Sequence, residues 1–144
     1  MQVRDLMTEA VVSVTASATL DEVAAKMLQY DVGSVIVMRG DVPVGIVTER
    51  DLIEAGHRQN APFSDIRVRE AMEDEFVTGS PDMTVRAAVE RMNETGRKKL
   101  PIVSDFEVVG ILTVTDVVSA HTDLIREAYE RDRDRTRWFS EGAD

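Results

Sequence analysis

Apolar residues recur with helical spacing in two stretches. Leu20, Val23, Ala24 and Met27 fall at i, i+3, i+4 and i+7, and Val85, Ala88, Val89 and Met92 do the same. That spacing puts each set on one face of a helix. Thr19 and Thr84 stand just ahead of these stripes, where a hydroxyl caps the first turn. Elsewhere the pattern shortens to apolar runs typical of strands: SVIVM (34–38) and Val44–Val47, then LPIVS (100–104) and Val109–Leu112. The turns RGDVP (39–43) and SDFEV (104–108) separate the runs of each pair. Brief extended pieces, Val11–Val14 and Phe76–Thr78, come before the helices, and closing helices are predicted to begin near Thr48 and Thr113. Each half therefore reads β–α–β–β–α.

The two halves are copies. Shifted by 65 residues, 3–55 matches 68–120 without a gap, and twelve positions are identical; ordinary composition gives roughly three by chance. The identities include Val3/Val68, Met7/Met72, Thr19/Thr84, Gly45/Gly110, Thr48/Thr113 and Asp51/Asp116. A unit with three short strands buries little surface by itself, whereas two can cover each other's sheets. The expected organisation is a first repeat at 1–55, a connector at 56–67, a second repeat at 68–120 and a helical extension at 121–144. Gly56, Asn60 and Pro62 mark the connector as turn-forming.

Composition narrows the setting. With no cysteine there are no disulfides, thiolate nucleophiles or thiolate metal sites. No apolar run approaches the roughly 20 residues of a membrane span, and MQVRDLMTEA lacks the form of a secretory signal, so a cytoplasmic location is expected. The chain carries 27 acidic and 17 basic residues, a net charge of −10. Nucleic-acid binding needs a basic patch, and no long Lys/Arg run exists. Acid excess with few lysines suits a salt-rich cytosol, where screening relieves self-repulsion; an ordinary acidic protein is the alternative.

The candidate chemistry lies in a repeated heptapeptide. GIVTERD (45–51) returns as GILTVTD (110–116). A strand ends and a helix starts there, so free backbone N–H groups and the positive end of the dipole face outward. Asp51 and Asp116 sit in the first turn, where a carboxylate can accept both hydroxyls of a ribose. The competing reading is a capping box, in which threonine and acid satisfy each other's backbone.

Gly-hydrophobic-hydrophobic-Thr-x-x-Asp in both halves, with the lead-ins ending Asp5-Leu6-Met7 and Glu70-Ala71-Met72, resembles a tandem pair of cystathionine-β-synthase (CBS) domains, often called a Bateman module. The resemblance covers residues 1–120. It implies an α/β (α+β) fold in which two β–α–β–β–α units pack sheet to sheet about a pseudo-twofold axis. It also implies a homodimer formed through exposed helices. The implied function is regulatory and non-catalytic: an adenosine nucleotide (AMP, ADP or ATP) or S-adenosylmethionine binds between the repeats, and the change is passed to a partner. The implied first cleft comprises Thr48, Arg50 and Asp51 facing Thr84, Val89, Gly96, Arg97 and Lys98; its cations would meet phosphates. The second comprises Thr113, Thr115 and Asp116 facing Thr19, Ala24, Val32 and Gly33, with Asp31 nearby to repel a polyphosphate. The first cleft is thus expected to take a phosphorylated adenosine. A constitutive dimerisation module with no regulatory ligand is the alternative function.

Nothing else in the chain suggests catalysis or a catalytic cofactor. His57 and His121 lie outside the repeated motifs and show no metal-binding spacing. In the extension, Leu124, Ile125, Ala128 and Tyr129 fall at helical spacing, and Trp138-Phe139 is expected to pack back on the module or to dock a partner.

Overall fold

The computed structural model describes residues 1–122 and 126; the predicted extension, with Trp138 and Phe139, falls outside the described residues. Strand β1 (Ser13–Thr15) leads to helix α1 (Leu20–Tyr30), then to the hairpin of β2 (Ser34–Arg39) and β3 (Val42–Thr48), and to helix α2 (Glu49–Gln59). The second half has helix α3 (Val85–Thr95), the hairpin of β4 (Lys99–Ser104) and β5 (Glu107–Thr113), and a helix α4 over 114–122. β1 runs parallel to β2, and each hairpin is antiparallel. The ladder shifts register between Val37 and Met38, and again between Ile102 and Val103, so even this irregularity repeats at the 65-residue period.

The helix starts follow from the sequence. Thr48, Thr84 and Thr19 are N-caps, the first two accepting a hydrogen bond from a backbone N–H of the first turn. Asp31, Asn60 and Gly96 end the helices in the left-handed conformation, which glycine and short polar side chains adopt most easily. The buried stripes also fall as predicted: Leu20, Val23 and Met27 on α1, and Ala88 and Met92 on α3.

Two expectations need correction. Phe76–Thr78 does not form a strand; only Gly79 bridges to Ile102, so the second sheet has two named strands against three in the first. A Cβ at Gly79 would fall 2.8 Å from Met83 Sδ and 2.9 Å from Leu100 Cδ2, so these side chains close over the backbone here. Nor is 56–67 a plain connector. α2 carries on through Gly56 to Gln59, and Ile66 is fully buried in the first repeat's core.

The lead-ins are exchanged between repeats. Val3 N donates to Met83 O and Val85 N to Met1 O, which lays the chain's first residues along the entrance to α3. Val3 is buried among Ala88, Met92, Leu100, Ile102 and Leu112, all in the second repeat. Reciprocally, Leu20 N donates to Ile66 O and Val68 N to Ala18 O. Ile66 and Val68 are buried with Leu20, Val23 and Val35 of the first repeat. A third cluster, Ile36, Ile46 and Ile111, joins the two sheets directly. Each half therefore completes the other's core.

Candidate functional site

The exchange continues to the repeated heptapeptide. Beyond its burial site, each lead-in pairs with the last strand of the opposite half: Glu73 with Ile46 (N···O 2.8 and 3.0 Å) and Thr8 with Ile111 (2.9 Å in both directions). These bridges lie two residues before Thr48 and Thr113. The motif glycines allow the approach. A Cβ on Gly45 would sit 2.5 Å from Met72 Sδ and 3.1 Å from Glu73 O; one on Gly110 would sit 2.8 Å from Met7 Sδ and 3.0 Å from Thr8 O. The repeated methionines and glycines are thus two sides of one contact made twice.

At the helix starts, threonine and aspartate meet as a capping box. Thr48 N donates to Asp51 Oδ2 at 2.8 Å, Thr48 Oγ1 donates to the same oxygen at 2.9 Å, and Asp51 N donates to Thr48 Oγ1 at 3.3 Å. Thr113 N donates to Asp116 Oδ2 at 2.9 Å, and Asp116 N to Thr113 Oγ1 at 3.0 Å. All four side chains are half-buried. Each aspartate uses Oδ2 for its own helix, and among the described residues Oδ1 accepts no hydrogen bond. A carboxylate fixed by one oxygen, at the positive end of a helix, keeps the other for a donor outside.

Thr84 caps α3 by accepting from Ala87 N at 3.0 Å and is exposed. Thr19 N donates to Glu22 Oε2 at 3.0 Å. Val89 lies on the core side of α3 and Ala24 on that of α1, both half-buried. Gly96 takes the left-handed position ending α3, at φ 68°. Val32 and Gly33 are half-buried between α1 and β2, and Thr115 is exposed. Backbone bonds tie the residue before each hairpin to the closing helix of its own repeat: Glu49 N to Gly33 O at 3.2 Å, Val114 N to Lys98 O at 3.0 Å. Among the described residues, no hydrogen bond or ion pair joins either Thr/Asp pair to the residues predicted to face it from the other repeat.

Of the cations expected to meet phosphates, Arg50 and Arg97 are paired with acids, whereas Lys98 is exposed and makes no side-chain hydrogen bond or ion pair among the described residues. Arg50 pairs with Glu54 at 2.8 Å on the exposed face of α2. Arg97 Nη1 lies 2.9 Å from Glu73 Oε1. The Arg97–Glu73 pair lies within the second repeat, and the Glu73 backbone, bonded to Ile46, ties it to β3 of the first. Glu73 was not among the predicted residues. Its one signal in the sequence is its place directly after the repeated methionine, where the first half has Thr8.

A separate cavity of about 490 Å³ opens at the hairpin ends of both sheets, away from the Thr/Asp pairs. Val11, Ile36 and Met38 line it together with the carboxylates of Asp41, Asp105 and Glu107. The described residues contain no group of three His, Asp or Glu side chains able to hold a metal ion, and no helix long and apolar enough to cross a membrane.

Comparison with known proteins settles the family. The CBS domain model matches residues 3–58 and again 68–123. The chain belongs to the CBS domain family, as a tandem pair. CBS domain-containing protein YhcV of Bacillus subtilis is 33% identical over 115 residues, covering 80% of this chain and 81% of that protein. An uncharacterized protein of Methanopyrus kandleri is 33% identical over 117 residues, and the match spans 60% of its length against 80% of this chain. Among solved structures, the CBS-domain protein ATU1752 of Agrobacterium tumefaciens has a TM-score of 0.76 at 29% identity, covering 84% of this chain and 99% of that one. The CBS pair of protein MJ0100, solved with 5′-methylthioadenosine and S-adenosyl-L-methionine, has a TM-score of 0.75 at 22% identity, covering 85% and 97%. Proteins built on CBS pairs are generally regulatory.

Proposed function

We propose that this CBS pair is a non-catalytic regulatory module that binds adenosine compounds at its two Thr/Asp helix starts and passes the change to a protein partner. The observation that carries this reading is the half-used carboxylate. Asp51 and Asp116 are each positioned by the cap and keep Oδ1 free to receive ribose hydroxyls. The adenosine compounds bound by the MJ0100 pair support the ligand class. A ligand contacting both halves shifts their arrangement by as much as it prefers one arrangement over the other, and the exchanged lead-ins give the halves a shared mechanical frame.

Titration calorimetry with 5′-methylthioadenosine, S-adenosylmethionine, AMP and ATP tests the proposal, in low and in high salt because the chain is acidic. Losing a ribose diol held by a carboxylate removes hydrogen bonds of about 1.5–3 kcal/mol, so Asp51→Ala and Asp116→Ala should each weaken one site about a hundredfold. Wild-type protein that binds none of these compounds refutes the reading.

A second reading, constitutive assembly, has its own observation. Ile53 on α2 is 70% exposed and Val118 on α4 is 55% exposed, and the two are equivalent at the 65-residue shift. We propose that these matched apolar faces pair two copies of the cytoplasmic chain as a homodimer. Ile53→Glu with Val118→Glu should convert dimer to monomer by light scattering while leaving the circular dichroism spectrum unchanged. If ligand binding survives in that monomer, sensing and assembly are separate properties.

A further inference from the structure

We infer that Glu73 sets the charge of the ligand that the Asp51 site accepts, selecting adenosine compounds without phosphates over AMP and ATP. The inference rests on the nucleotide-binding reading above and adds a specificity residue to it.

The Glu73 backbone is clamped to Ile46 by hydrogen bonds in both directions, so its side chain has a fixed origin beside the end of β3. From there it holds Arg97 at 2.9 Å. The Arg97 side chain is 29% exposed and that of Glu73 is 43% exposed. A pair shielded to this degree is stronger than a fully solvated one. It also occurs only once. At the 65-residue shift the same backbone arrangement carries Thr8 and Val32, and both are neutral. The charge is therefore a property of one half and not a requirement of the fold.

The surroundings point the same way. Arg50, the other arginine by this helix start, is held by Glu54. The Glu49 carboxylate lies against Gly33, whose Cβ would be 3.4 Å from its Oε1. Of the cations assigned to this cleft, exposed Lys98 is the one without an acidic partner among the described residues, and a phosphate beside Asp51 can use Arg97 only by displacing Glu73. That leaves a second negative charge next to its own, which disfavours the complex. A thioether or sulfonium adenosine incurs no such cost. The net charge of −10 adds long-range repulsion of polyphosphates.

The test is calorimetric titration of wild type, Glu73→Gln, Glu73→Asp and Glu73→Gln/Arg97→Gln with ATP and with 5′-methylthioadenosine. Gln keeps the shape and removes the charge. Freeing one partly exposed arginine is worth about 1 kcal/mol, so Glu73→Gln should raise ATP affinity about fivefold. Methylthioadenosine affinity should stay within about twofold. Glu73→Asp should keep the wild-type preference, and Arg97→Gln in the double variant should cancel the gain for ATP. Raised salt should shrink the difference. An ATP-to-methylthioadenosine ratio that Glu73→Gln leaves unchanged overturns this inference while binding itself stands. Absence of binding to every compound in every variant overturns the nucleotide reading as well.

Discussion

Val3→Asp is expected to unfold the second repeat, although residue 3 stands at the start of the first. Val3 is fully buried among Ala88, Met92, Leu100, Ile102 and Leu112, and its N–H is spent on Met83 O. A carboxylate there would be shut off from solvent, with no cation within the cluster. Burying an unpaired charge is among the few single changes that cost more than about 4 kcal/mol. Val3→Ala leaves a small cavity and should cost about 1–2 kcal/mol. Arg4→Asp, one residue on but exposed, should stay within about 0.5 kcal/mol of wild type. Urea unfolding followed by circular dichroism measures all three. Val68→Asp should do the same to the first repeat, because Val68 is buried with Leu20, Val23 and Val35. If Val3→Asp unfolded no more readily than Arg4→Asp, the exchanged lead-ins would not hold the halves together.

Local rules carried most of the fold. The capping threonines, the apolar stripes on α1 and α3, and both hairpins are decided by residues within a few positions of each other, and periodicity reads such features directly. The exchange of lead-ins was not legible. An apolar pattern says that Val3 and Val68 are buried but not against which half, and a duplicated chain offers two equivalent choices. Residues 56–67 read as a connector for a related reason. Ile66 is a lone apolar residue between Asp65 and Arg67, with no periodic neighbour to declare it core. Gly56 and Asn60 are turn formers by type, yet α2 includes the first and stops at the second.

At the site, spacing was informative where the chemistry is local and failed where it depends on the placement of an exchanged lead-in. Thr48–Asp51 and Thr113–Asp116 are i, i+3 pairs, so their meeting was legible; that each carboxylate would keep one oxygen unused was not. The sequence marks Arg97 as a cation near a predicted cleft. Its partner is 24 positions back in the chain, in a lead-in whose backbone is bonded to the opposite half's strand. An ion pair of that kind depends on tertiary pairing, and a linear count of charges does not reveal it.

The same pairing makes Gly45→Val the second change with a large effect. The nearest atoms to a new Cβ are Met72 Sδ at 2.5 Å and Glu73 O at 3.1 Å. The thioether can rotate away, being the flexible end of a long side chain. The carbonyl cannot, because it accepts from Ile46 N while Glu73 N donates to Ile46 O. Overpacking of a fixed contact costs about 1–3 kcal/mol for one added methyl, and a branched side chain should fall at or above the top of that range. Met72→Ala should rescue part of the loss in Gly45→Ala, since it removes the sulfur contact, and little in Gly45→Val, since the carbonyl contact stays. Moving the lead-in away from β3 also carries Glu73 away from Arg97, so Gly45→Ala should relax the proposed preference against ATP in proportion to its loss of stability. Gly110→Val meets the equivalent contacts, Met7 Sδ at 2.8 Å and Thr8 O at 3.0 Å, but no ion pair hangs on them. It should destabilise to a similar degree and leave the proposed ligand preference at the Asp51 site untouched. Thermal unfolding and the ATP-to-methylthioadenosine affinity ratio, measured on both variants, separate packing from charge, because only the first glycine supports both.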